Sequence, residues 1–126
     1  MAIRCFKLAA LYLILGMTLG AVMGATKLFA YAPVHAHINL LGWVSLTLAG
    51  LLFTRFPHLA KTRLAAAFFW IYNIAVPVSM VLLALEVSGH TGVETALGIS
   101  SAGIWVGGVC LSFNLLLNLH SSDISA

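Results

Sequence analysis

His35 and His37 stand one residue apart in the stretch His35-Ala36-His37-Ile38-Asn39-Leu40-Leu41-Gly42-Trp43, near the start of a long apolar run. Imidazole binds transition metals readily. An ionisable side chain inside an apolar helix marks a candidate functional site, because burying it without a partner is costly. A helix turns about 100° per residue, so side chains two apart point roughly 200° apart. The two histidines therefore cannot grip one ion from one helix, as an i, i+4 pair does. Each must serve its own site or one completed by a neighbour. Asn39 and Gly42 follow His35 on nearly the same face, at i+4 and i+7. A glycine there would let a flat ligand ring lie close to the backbone. Leu41, Val44 and Leu48 share the face of His37 and are expected to wall an apolar pocket.

The elements that position this pair follow from composition. Of 126 residues, 62% are hydrophobic and only 7% charged, which excludes an ordinary soluble domain and points to an integral membrane protein. Four runs, Leu8 to Ala30, Val34 to Phe53, Leu64 to Val87 and Val93 to Leu119, match the roughly 20 residues that span a bilayer as a helix. The expected fold is all-α, one transmembrane domain over residues 1–126 whose short connections make successive helices antiparallel. Arg4 and Lys7 precede the first run, and Arg55, Lys61 and Arg63 lie between the second and third. By the positive-inside tendency both termini and the second loop are cytoplasmic, in an inner (cytoplasmic) membrane, with the histidine pair near the outer face. Lys27, Glu86 and Glu94 fall on that outer side. The net charge of +3 comes with no basic cluster dense enough to suggest nucleic acid.

Along the chain, Gly16, Gly20 and Gly24 form a tandem GxxxG stripe, which lets another helix approach closely. The expected partner is the fourth helix, with its own Gly103 and Gly107. The first run is too long for a signal-peptide core, and Pro33 behind Ala30-Tyr31-Ala32 would obstruct cleavage, so it is expected to be retained. Pro33 suits a first helical turn. His58 reads as a solvated loop residue, and Asn73 with Pro77 as a structural kink. Asn114 and Asn118 mark the inner interface, and Cys5 and Cys110 are expected to stay unpaired.

His35 to Trp43, followed by Leu46 to Phe53 and Arg55-Phe56-Pro57, resembles membrane proteins related to the catalytic subunit of haem-copper oxidases, as does Phe69-Trp70-Ile71-Tyr72-Asn73. That subunit has twelve helices in three four-helix arcs around a pseudo-threefold axis. The second helix of its third arc carries an HxH near the outer side, one histidine serving the low-spin haem and the other the haem of the oxygen site. This chain looks like a single arc with an HxH at the matching place. The resemblance implies a homotrimer rebuilding the twelve-helix plan by cyclic symmetry. His35 of one protomer and His37 of the next would ligate one haem b, with Asn39 and Gly42 beside it and Lys27 and His90 as outer-side contacts for its propionates.

The departures narrow the implied chemistry. A copper centre needs three further histidines and the outer half offers only His90; no histidine-tyrosine pair and no mid-helix carboxylate is present. A complete oxidase is therefore not expected, and a bis-histidine haem suits electron transfer with a redox partner at the outer face. Three other readings remain open at this point. One is a haem-based sensor in which nitric oxide or oxygen replaces a histidine. Another is copper held by His35, His37 and His90. The last is an assembly subunit whose histidines cap a helix end.

Overall fold

A computed structural model describes residues 1–123, and all of its regular structure in that range is helical. Four helices are long and apolar enough to cross a membrane: α1 Ala2–Thr26, α2 Phe29–Arg55, α3 Arg63–Val87 and α4 Glu94–Asn118. These match the four expected runs with two shifts: Phe29 and Ala30, expected to close the first run, open α2 instead, and α1 is displaced toward the N-terminus. It begins at Ala2 and ends at Thr26, so Arg4 and Lys7 lie within its first two turns instead of ahead of it. Their long alkyl stems let the charges reach the interface while the backbone stays helical. Lys27 then stops the helix in the left-handed region, at φ 60°.

Helix α2 is not uniform. A 3₁₀ turn over Phe29–Tyr31 leads into α-helix Ala32–His37, then a π-helical segment Ile38–Val44, then α-helix Ser45–Arg55. Pro33 sits in the first α turn, where its missing N–H costs nothing. The π segment widens the turn and releases backbone carbonyls from the usual ladder. Two hydroxyls take them up: Ser45 Oγ donates to Leu40 O at 2.8 Å, and Tyr72 OH of α3 donates to Leu41 O at 3.2 Å. Leu41, in this segment, is partly buried and packs against the core.

Consecutive helices pack on one another: α1 on α2 and α3 on α4 extensively, and α2 on α3 less so. Among the described residues α1 and α4 do not pack along their lengths, so the layout is an open row in chain order. The glycine stripes serve these neighbouring contacts, which corrects the expected α1–α4 pairing. Gly16 and Gly20 face α2, and Gly103 and Gly107 face Ala75 and Tyr72 of α3. The core is concentrated toward the end of the molecule that holds the N-terminus, with Cys5, Ala9, Leu46, Ala49, Phe53, Leu59 and Phe68 nearly inaccessible. Phe68 packs against Phe53 and Tyr72 at ring-centroid distances of 6.3 and 5.2 Å.

That end is tied by hydrogen bonds. Thr62 caps α3 by accepting from Ala65 N at 3.0 Å. Its hydroxyl lies 2.9 Å from Asn114 Oδ1, and Asn114 Nδ2 donates to Leu59 O at 3.0 Å. Asn114 is wholly buried, so it is a structural pin where an interfacial residue had been expected. His58, although exposed, donates from Nε2 to Asn118 O at 3.0 Å at the C-terminal end of α4. The outward surface is apolar, with Ile14, Met17, Trp70, Ile99, Trp105 and Leu116 all more than half exposed, as a lipid-facing exterior requires.

Candidate functional site

The face of α2 that bears His35, Asn39 and Gly42 is indeed one face, and it is turned onto α1. Gly42 meets the ring of Tyr12, Asn39 lies over Gly16, and His35 lies over Gly20 in a regular antiparallel register. An added Cβ at Gly16 would come within 2.5 Å of Asn39 Oδ1, and one at Gly20 within 2.7 Å of His35 Cε1. The glycines of α1 thus form a cradle for an amide and an imidazole. The expectation that Gly42 leaves room for a flat ligand ring is corrected: Tyr12 occupies that space.

His35 is half-buried, and its Nδ1 stands 2.8 Å from Gly16 O on α1. A bare ring nitrogen at that distance would set two acceptors against each other, which assigns the proton to Nδ1. Asn39 Nδ2 donates to His35 O at 2.8 Å, and lies 3.4 Å from Nδ1 without a lone pair to receive it. His37 is exposed, with Nδ1 2.7 Å from Pro33 O one turn back, and the same argument assigns that proton too. Both imidazoles therefore direct Nδ1–H at a backbone carbonyl, which leaves Nε2 as the ring nitrogen outside these two bonds. This is the tautomer and outer support typical of metal-ligating histidines. The two differ in anchorage, since His35 is bonded to a second helix and His37 only to its own.

Lys27 and His90 lie at the same end of the molecule. Tyr31 OH donates to Ser88 Oγ at 2.7 Å while Ser88 donates to Ala84 O, which straps the turn after α1 to the turn after α3. His90, exposed in that second turn, has Nδ1 3.3 Å from Leu85 O. Among the described residues no three His, Cys, Asp or Glu side chains are gathered as a metal ion would need. The copper set of His35, His37 and His90 is therefore not assembled within one chain. Cys5 and Cys110 are free thiols.

Sequence reasoning missed the part played by Gly16, Gly20 and Tyr12. The small-residue spacing was visible, but the register that sets it under His35 is a property of how α1 and α2 dock.

The fold and site define a class: a small multi-helix membrane protein with two oriented imidazoles at one end. A family model described as a protein of unknown function (DUF2871) matches residues 3–116, and the chain belongs to that family. No curated protein and no solved structure matches it.

Proposed function

We propose that this protein is a membrane cytochrome that holds haem b between His35 of one protomer and His37 of the next, in a homotrimer resembling the twelve-helix haem-copper oxidase plan, and passes single electrons. The observation that carries this reading is the shared tautomer of the two histidines. Both Nδ1–H groups are engaged on carbonyls, which leaves Nε2 of each ring as the atom proposed to meet iron, His35 from the α1–α2 contact and His37 from the exposed face. No single haem reaches both from one chain, and a ring of chains satisfies them pairwise. Held by two imidazoles, haem b supplies a one-electron iron couple. His35 and Asn39 form the anchored half of the site, His37 the exposed half, and the Lys27 ammonium with the His90 imidazole the polar rim for propionates. The outer face of a cytoplasmic membrane is the location proposed for this end, by the charge asymmetry of the loops.

A sensor reading is favoured by one observation: His37 bonds only within its own turn, so it is the ligand that a diatomic gas would displace. The test is the visible spectrum of the purified protein, oxidised and dithionite-reduced, with haem and protein quantified together. Sharp reduced α and β bands, one haem per chain and no response to carbon monoxide support the electron carrier. A carbon monoxide-sensitive spectrum supports the sensor. A colourless protein after expression with ample haem overturns both.

A further inference from the structure

Helices α1 and α3 approach without closing, and a trough runs between them from the N-terminal end toward the histidine end. Its mouth is a cavity of about 640 Å³ lined by Arg4, Lys7, Leu8, Trp70, Asn73 and Ile74. Two further cavities continue it, sharing Tyr12, Leu15 and Pro77 and reaching Ala84. From Trp70 to Ala84 the path is about 21 Å at 1.5 Å per residue. One leaflet contributes roughly 15 Å of hydrocarbon, so the trough is long enough for an acyl chain.

The chemistry at the mouth is specific. Arg4 and Lys7, at i and i+3, share one exposed face of α1, and among the described residues neither has a carboxylate partner. Trp70, exposed beside them, is the residue type that settles at headgroup level. Deeper in, the lining is apolar except for Tyr12 and Asn73, the latter with Nδ2 donating to Phe69 O at 2.7 Å and Oδ1 meeting no donor. Two unpaired cations at the entrance of an apolar trough complement a ligand with an anionic head and a hydrocarbon tail.

We propose that the trough between α1 and α3 seats one anionic phospholipid, its phosphate against Arg4 and Lys7 and one acyl chain along Leu8, Tyr12, Leu15 and Pro77. The site is distinct from the histidine pair and does not depend on haem. The expected occupant is a phosphatidylglycerol-type lipid from the leaflet at the N-terminal end; a neutral lipid, a quinone or a second copy of the chain are the competing occupants.

The test is native mass spectrometry of the full-length protein, delipidated in detergent and titrated with phosphatidylglycerol or with phosphatidylcholine of the same chains. One phosphatidylglycerol should be retained per chain, in preference to phosphatidylcholine. The Arg4→Gln/Lys7→Gln pair should weaken that retention by roughly thirty-fold, about five-fold for each cation. Leu11 also lines the trough, so Leu11→Trp, which adds bulk there without altering charge, should also reduce it, and circular dichroism of each variant checks that the helices remain. Equal retention of both lipids, unchanged retention in the charge variant, or a quinone or partner chain held in the lipid's place would overturn the proposal.

Discussion

At the scale of the residue, His35 and His37 are the same side chain in two situations. The Gly16 carbonyl bonds His35 to α1, whereas His37 leans on Pro33 of its own helix. This asymmetry separates the variants. On the proposed ligation His35→Ala removes the anchored ligand and should abolish haem incorporation, measured as haem per chain by pyridine haemochrome. His37→Ala should leave haem on His35, now high-spin and open to carbon monoxide; an unchanged spectrum in either variant would sink the shared ligation. Gly20→Ala probes the cradle. Its methyl must displace the His35 ring, at a cost of about 1–3 kcal/mol typical of overpacking, and the reduced spectrum should shift or weaken. Gly24→Ala, with nothing within 4 Å of the added carbon, should leave the spectrum unaltered.

At the scale of the element, the π segment Ile38–Val44 decides which way α2 faces after the histidines. Its extra residue per turn needs outside donors, and Tyr72 of α3 is one of them. Tyr72→Phe leaves the Leu41 carbonyl without that donor. A cost of about 1 kcal/mol is expected, seen as faster amide exchange in Ile38–Val44 with little change elsewhere. At the other end of the bundle Asn114 joins α4 to the loop before α3 through Leu59 and Thr62. Asn114→Leu would remove two bonds and leave Leu59 O and the Thr62 hydroxyl only each other and Ala65 N as partners, so it should destabilise the protein by about 1–2 kcal/mol, read as a lower unfolding temperature in detergent. The haem spectrum of any folded fraction should persist, since the two ends share no contacts of this kind.

At the scale of the whole molecule, the open row of helices leaves much apolar surface uncovered. Only 6% of the most hydrophobic window of α4 is buried, so that helix touches its neighbours on one narrow side. Lipid or further copies of the chain must cover the rest. On the proposed assembly, native mass spectrometry of the haem-loaded protein should give three 13.4 kDa chains with three haems. His35→Ala/His37→Ala should lower the trimer fraction, because the ligand that bridges protomers is gone. A monomer that carries one low-spin haem would contradict the ring.

How much of this was legible in the chain divides along physical lines. The four spans, the position of Lys27 at the end of α1 and Pro33 at the start of α2 follow from hydropathy and local backbone rules, which act over a few residues and are written in order. The common face of His35, Asn39 and Gly42 followed from helical periodicity. What lies against that face did not. Tyr12, Gly16 and Gly20 are brought there by the register between α1 and α2, and small-residue stripes fit more than one partner because lipid offers no hydrophobic preference among helices. The π turn was invisible for a similar reason, since it is held by a tyrosine from another helix. Sequence alone determined that two imidazoles sit on opposed faces near one end of a long apolar helix; only the tertiary structure decided which carbonyls meet them, Gly16 of a second helix for His35 and Pro33 of the same helix for His37, because that depends on how α1 docks on α2.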